Sequence, residues 1–153
     1  MKLVVFSDSH RSLRTMRDAV ELEQPDYVIH LGDLEQDAQL LSQEYPALAI
    51  TGVPGNCDGF PTAPLQRLVP YAGVQILMSH GHIWSVKSGY GAAIAAAEAC
   101  RADVLLFGHT HVPYCQQLDS GLWIMNPGSC RDSGSYGIIT IQDQRACCSL
   151  KKI

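Results

Sequence analysis

The chain has 153 residues, room for one domain built on one core and not for two of ordinary size. With 46% of its residues hydrophobic and 17% charged it is too apolar for general disorder, and it lacks the repetition of a collagenous or low-complexity protein. Eleven Lys and Arg against fifteen Asp and Glu give a formal charge of -4 with no basic cluster, which argues against electrostatic binding to duplex nucleic acid or to an anionic membrane.

The first strand is expected at Lys2 to Ser7, where a run of four apolar residues is too short for the core of a signal peptide. An amphipathic helix follows from Ser12 to Glu23, with Ser12 as its N-cap and Pro25 as its stop. A strand at Tyr27 to Gly32, a helix at Glu35 to Tyr45 and a strand at Ala47 to Gly52 complete a β-α-β-α-β order. That order predicts right-handed crossovers and a largely parallel sheet buried on both faces. Loops rich in Pro and Gly from Gly52 to Pro64 lead to strands at Arg67 to Tyr71 and Val74 to Ser79. A helix near Tyr90 to Cys100 is mostly Ala but contains Glu98, so it reads as a packed helix rather than a membrane span, and a strand at Asp103 to Phe107 follows. Short strands at Pro113 to Leu118, Leu122 to Asn126, Tyr136 to Gln142 and Ala146 to Leu150 close the chain. Turn signals at Asp119-Ser120-Gly121 and Asp143-Gln144 predict hairpins and an antiparallel second sheet. The expected fold class is α/β, a two-sheet β-sandwich flanked by helices, in a single domain over residues 1–153. The protein is expected to be cytoplasmic, with Cys57, Cys100, Cys115, Cys130, Cys147 and Cys148 as reduced, mostly core thiols.

Five apolar runs end in polar residues of one chemical character: Ser7-Asp8-Ser9-His10, Leu31-Gly32-Asp33, Gly55-Asn56-Cys57-Asp58, Ser79-His80-Gly81-His82 and Gly108-His109-Thr110-His111. Their expected place is the C-terminal edge of the sheets, where open α/β folds bind ligands. In extended chain, residues i and i+2 share a side, so Asp8 with His10, and His109 with His111, can each aim two ligands at one point. Oxygen and imidazole donors without thiolates suit manganese, iron, zinc or nickel rather than a structural thiolate zinc site. Asp8, His10, Asp33, Asn56, His80, His109 and His111 are more ligands than one catalytic ion with an open position can use, which points to two ions. Such a centre carries net positive charge and favours an anionic substrate.

Each segment alone has a plainer reading. Asp-x-His is commonly a turn residue beside a surface histidine, and Gly-Asp after a strand is a common loop start. Gly-His-Thr-His is more specific, because two histidines on one face at a strand end are uncommon without a ligand. What carries weight is the ordered set.

That set, SDSH, GD, GNCD, SHGH and GHTH over residues 8 to 111, with NPGS at Asn126 to Ser129, resembles the calcineurin-like metallophosphoesterase superfamily. Short length, GNCD and NPGS make it look like the small, uncapped YfcE-like phosphodiesterase branch. The resemblance implies an α/β sandwich with a dinuclear centre, often loaded with manganese. Asp8, His10 and His111 would hold one metal, Asn56, His80 and His109 the other, and Asp33 would bridge them. Asp33, Asn56 and His80 are the candidate catalytic residues. A hydroxide shared by the metals would attack phosphorus in a phosphodiester, a small organic ester or a nucleotide. Homo-oligomers are common in this branch, and nothing in the chain fixes a subunit number.

One position departs from the superfamily pattern. Many members have His where this chain has Cys57, so the usual acid for the leaving group is absent. Without it, good leaving groups should react better than poor alkoxides unless His82, water or a metal-held group substitutes. A thiol with an ordinary pKa near ~8.5 is a poor acid for the task. Asp58 is expected to orient its loop rather than to do chemistry. His30 reads as a core histidine or a support to a ligand rather than as a ligand itself, and His82 as either a loop histidine or a contact to substrate or to a ligand's outer nitrogen. Arg11 is a solvated helix-start residue or a phosphate contact. Substrate selection would fall to open loops that include Arg11, Pro61 to Pro64 and Trp84. A different class remains open: a scaffold like the retromer subunit of the same fold, with a silent metal site. That scaffold departs from the enzyme pattern at the bridging Asp and at the Asn of GNxD, and both Asp33 and Asn56 are present here. A phosphomonoesterase or pyrophosphatase would use the same metals with different pocket walls.

Overall fold

Alternation at a period of two sorts the first strand, β1 (Lys2–Phe6), onto two faces: Leu3 and Val5 point one way, Val4 and Phe6 the other, and all four are fully buried. A strand covered on both faces belongs in the middle of a layered domain. The computed structural model, which describes residues 1–59 and 63–153, places it so. Helix α1 (Leu13–Glu23) returns the chain to β2 (Tyr27–His30), and α2 (Glu35–Glu44) returns it to β3 (Ala49–Gly52). These three strands pair in parallel, β2 between β1 and β3. The chain then builds β4 (Gln66–Tyr71), β5 (Val74–Ser79), two single-turn 3-10 segments, α3 (Gly91–Ala99) and β6 (Val104–Leu106). Strands β7 (Tyr114–Gln117), β8 (Trp123–Asn126), β9 (Ser135–Gln142) and β10 (Arg145–Lys152) complete it.

Two five-stranded sheets result, in the orders β10-β9-β1-β2-β3 and β4-β5-β6-β8-β7. Three apolar layers hold them. Leu3, Val5, Ile29, Ile76, Met78, Leu106, Met125 and Ile139 fill the space between the sheets. Val4, Phe6, Val28 and Ile138 meet Met16, Ala19 and Val20 of α1 and Leu41 of α2 on one outside face. Leu77, Leu105, Phe107 and Ile124 meet Ala93 and Ala97 of α3 on the other. The architecture is α/β/β/α.

The expectation of an antiparallel second sheet is corrected. Both sheets are mixed: β5, β6 and β8 run parallel, with β4 and β7 antiparallel at the edges. The β9-β10 hairpin joins the first sheet, antiparallel to β1. Its composition gives the reason: β9 buries Ile139 and Ile141 on one face and Tyr136 and Ile138 on the other, as a strand beside β1 must, while β10 is polar at the edge. Two smaller expectations also change. Ser12 occupies the N-cap position of α1, but its hydroxyl lies 3.2 Å from that of Thr15 and caps no backbone N–H. Trp84 is 7% exposed and packs with the α3 layer, so it does not line an open substrate loop. Pro61 lies outside the described residues. Among them, no helix is long and apolar enough to cross a membrane.

Candidate metal centre

The five polar segments converge because β1, β2, β3, β5 and β6 all end at the same edge and their loops are tied together there. The Asp8 N–H donates to the Gly32 carbonyl at 3.0 Å and the His10 N–H to the Asp33 carbonyl at 3.3 Å. The Gly108 N–H donates to the His80 carbonyl at 2.8 Å, and the Ser129 hydroxyl to the Asp8 carbonyl at 3.0 Å. Two glycines make the approach close enough. A Cβ on Gly108 would stand 1.9 Å from Ser7 Oγ and 2.8 Å from Asp8 Oδ2, and one on Gly55 would stand 2.0 Å from Asp33 Oδ1.

Two groups of ligand atoms form, each with its atoms within 4.8 Å of one another: Asp8, His10 and His111, and Asp8, Asp33 and His80. Asp8 belongs to both. Asp33 also spans them, with Oδ2 3.8 Å from His10 Nε2 and 3.4 Å from His80 Nε2. His109 stands beside the second group, its Nδ1 3.2 Å from His80 Nε2. Asn56 is exposed, and its amide leans on the Cys57 sulfur at 3.8 Å. Convergence does not come from extended chain, as the i,i+2 spacing suggested. Asp8, His10, Asp33, His109 and His111 have φ of 52°, 39°, 47°, 69° and 61°, in the left-handed region. Each costs an L residue about 1–2 kcal/mol, strain of the kind that packed loops sustain at working sites.

The protonation pattern suits cations. The His80 Nδ1–H donates to the Leu31 carbonyl at 2.8 Å, and the His111 Nδ1–H to Asp132 Oδ2 at 2.6 Å. Each bond fixes a tautomer and turns Nε2 toward the centre, Nε2 of His111 lying 3.1 Å from Asp8 Oδ1. Burial opposes ionisation of Asp33, but His80 and the Cys57 backbone outweigh it and hold this carboxyl well below the usual carboxylate range. Burial likewise opposes the charged form of His80, but Asp33 and Asp8 outweigh it and raise its pKa. Burial and then His80 push His82 and His109 down. A proton on His80 must leave before its nitrogen can ligate, so metal affinity is expected to weaken on acidification.

The remaining candidates sort by what they touch. Asp58 accepts from three backbone N–H groups, those of Gly55 at 2.7 Å, Glu35 at 2.8 Å and Asp33 at 3.3 Å, and so clasps two ligand loops. The Cys57 N–H donates to Asp33 Oδ1 at 2.9 Å, and desolvation followed by the Asp33 carboxylate pushes the Cys57 thiol up. His30 is buried, with its Nε2–H on Ser9 Oγ at 2.9 Å and its Nδ1 accepting from Gly32 N–H at 3.2 Å. Burial pushes it down to about 4, so it is neutral. His82 is half-buried with no partner for its Nδ1, and its ring lies 5.7 Å from that of His80.

Sequence reasoning missed three supporting residues. Asp37 is buried and accepts from the Ser9 hydroxyl at 2.6 Å and from the Arg11 N–H at 2.7 Å, which fixes the loop holding His10. Its signal was an acid at i,i+4 from Leu41 on the buried stripe of α2. Asp132 orients His111, and Arg131 flanks His10; nothing in the linear pattern marked either.

Asp8 Oδ1 is buried and has no hydrogen-bond partner, although it faces imidazole nitrogens of two groups. An orphaned carboxylate oxygen among nitrogens fits a divalent cation, which accepts lone pairs that no donor satisfies. Residues 1–144 match the calcineurin-like phosphoesterase superfamily domain. The chain belongs to this superfamily. Among its relatives, the probable metallophosphoesterase YsnB of Bacillus subtilis is 34% identical over 95% of this chain and 88% of its own. The phosphodiesterase YfcE of Escherichia coli is 28% identical over 91% of this chain and 87% of its own. A solved structure of Vps29 from Entamoeba histolytica superposes with a TM-score of 0.77 at 18% identity, over 100% of this chain and 99% of that one, a likeness of fold. In this metallophosphoesterase domain the two groups sharing Asp8 form a candidate dinuclear site.

Proposed function

We propose that the chain is a divalent-metal-dependent phosphodiesterase of the small, uncapped YfcE-like kind, acting on a small organic phosphodiester or nucleotide. The observation that carries this reading is the double sharing at the centre: Asp8 belongs to both ligand groups and Asp33 Oδ2 reaches toward both His10 and His80. Asp8, His10 and His111 would hold one ion, Asn56, His80 and His109 the other, and Asp33 would bridge. When bound, two divalent cations, manganese by resemblance and otherwise nickel, iron or zinc, supply Lewis acidity that activates water toward phosphorus and offsets charge on the phosphoryl oxygens.

The chain's own groups set the rest. Asp132 and the Leu31 carbonyl hold His111 and His80 with Nε2 inward, while the Cys57 N–H engages one Asp33 oxygen and leaves the other toward the centre. Position 57 decides leaving-group preference. A thiol pushed upward in pKa stays protonated and donates its proton poorly, so esters whose leaving groups need no protonation are favoured. The likeness to YfcE, a phosphodiesterase, supports the diester over the monoester.

The test uses metal-stripped protein with bis(p-nitrophenyl) phosphate and p-nitrophenyl phosphate, before and after adding manganese, beside Asp33→Asn. Metal-restored turnover, faster on the diester and lost in the variant, is expected. Faster monoester turnover would make the protein a phosphomonoesterase. No turnover of either ester with manganese, nickel, iron or zinc would overturn the enzyme reading in favour of a scaffold.

A further inference from the structure

We propose that Arg11 and Arg131 form a clamp for a second phosphate on the substrate, so that the ester cleaved at the metal centre is itself a phosphorylated small molecule. The inference rests on the phosphodiesterase reading for its reacting centre, and on its own observation for the second site. His10, Arg11, Leu34 and Arg131 line one open cleft of about 410 Å³. His10 belongs to a ligand group, so the cleft abuts the centre and lies within reach of a molecule seated there.

The two arginines come from distant loops, yet both are bolted to the same framework. The Arg11 N–H donates to the buried Asp37 carboxylate at 2.7 Å. Arg131 lies between Cys130, whose N–H donates to the Ser7 carbonyl at 3.0 Å, and Asp132, whose N–H donates to Ser129 Oγ at 2.9 Å. Both backbones are thus fixed relative to Asp8 and His10. Their side chains are exposed, and neither guanidinium has a hydrogen bond or ion pair among the described residues. Arg17 is paired with Glu44, Arg14 with Asp18, and Arg67 donates to the Gly52 carbonyl. Arg101 and Arg145 are also exposed without a partner among the described residues, and what sets Arg11 and Arg131 apart is the cleft they share with His10. The neighbouring acid, Asp132, is engaged by His111.

Two forked cations facing one cleft match the charge and geometry of a phosphate dianion, which accepts bidentate N–H donors. They are too few for a polynucleotide, which needs a longer cationic track than this chain of net charge -4 offers at the cleft. Leu34 supplies an apolar wall for the body of a small molecule between its two phosphates.

The test compares thymidine 5′-(p-nitrophenyl phosphate) with its 3′-phosphorylated counterpart, which differ only in the second phosphate. The expected result is that the kcat/KM ratio of phosphorylated to unphosphorylated ester favours the former and falls by at least about tenfold in Arg11→Ala/Arg131→Ala, mainly through KM. A ratio that stays within twofold of the parent's would overturn the clamp even if the enzyme is active. Calorimetry with inorganic pyrophosphate and metal-free protein separates the two readings. Binding that weakens by at least about tenfold in the double variant supports the clamp even if no ester is turned over, and binding equal in parent and variant overturns it. Cleavage of a single-stranded oligonucleotide faster than the phosphorylated mononucleotide ester would overturn the small-molecule assignment.

Discussion

Removing the Asp58 carboxylate should loosen the centre without altering the side chain of a proposed ligand. Its two oxygens accept from Gly55, Glu35 and Asp33 N–H groups, at 2.7, 2.8 and 3.3 Å, on the two loops that carry Asn56 and Asp33. Hydrogen bonds to a charged acceptor contribute about 1.5–3 kcal/mol each, and three at full value would exceed 4 kcal/mol by this rough measure. All three are only partly buried, however, so water replaces part of what is lost, and removing a charge near Asp8 and Asp33 relieves repulsion. For Asp58→Ala we therefore expect about 3 kcal/mol of destabilisation, and for Asp58→Asn, which keeps an acceptor, about 1–2 kcal/mol. In a domain of this size 3 kcal/mol lowers Tm by roughly 6–12 °C. Urea unfolding of metal-free protein measures the loss, and manganese titration should show affinity down about 10–100-fold, as for other groups that orient ligands. An Asp58→Ala protein within 0.5 kcal/mol of the parent (the usual scatter of surface substitutions, roughly) and of equal metal affinity would refute the clasp.

Three further outcomes follow from the same geometry. Burial holds His30 down to about 4 against an unfolded value near 6.5, so between these limits the unfolded chain binds the extra proton; stability present above about pH 6.5 is lost as pH falls to about 4, by about 3 kcal/mol. Urea unfolding of metal-free His30→Gln across that window should show a correspondingly shallower loss, and an equal slope would count against the buried neutral histidine. Gly108→Ala forces a methyl to within 1.9 Å of Ser7 Oγ and 2.8 Å of Asp8 Oδ2, an overpacking cost of about 1–3 kcal/mol with weaker metal binding, whereas Gly91→Ala, with nothing within 4 Å, should be neutral or mildly stabilising by thermal unfolding. Cys57→Ala should leave diester turnover within about threefold, and Cys57→His should accelerate esters of poor leaving groups selectively, by about tenfold; loss of turnover in a folded Cys57→Ala protein would make the thiol a catalytic acid.

The strands were legible because burial on both faces demands apolar residues that few other structures use, and Leu3 to Phe6, Ile76 to Met78 and Val104 to Phe107 show them in uninterrupted runs. Their pairing was less so. Tyr136 to Gln142 reads as a strand from its own residues, but its place beside β1 depends on which other strand lacks a neighbour, a property of the whole sheet. The backbone at the centre was hidden for a related reason. Asp8, His10, His109 and His111 were placed in extended chain, while contacts between loops, such as Asp8 N–H on Gly32 and Gly108 N–H on His80, hold them in the left-handed region.

The residues that sequence revealed and those it concealed differ in how narrowly their jobs restrict side-chain type. A cation accepts lone pairs from a short roster of groups, so Asp8, His10, Asp33, His80, His109 and His111 announce themselves by identity at strand ends. Orienting a histidine needs only an acceptor in the right place, and the centre uses a carboxylate, Asp132, for His111 but a main-chain carbonyl, that of Leu31, for His80. A carbonyl has no letter in the sequence. Asp37 shows the intermediate case, for an acid on the buried stripe of a helix is conspicuous, yet only the folded chain shows that it faces Ser9 and Arg11. Arg131 is the least marked of all, an exposed arginine in a loop, and acquires meaning through the cleft it shares with His10 and Arg11. Candidate metal ligands are therefore written in residue types, while the groups that orient them are written in positions, which is why the family can be read from five short segments and the supporting residues only from the folded chain.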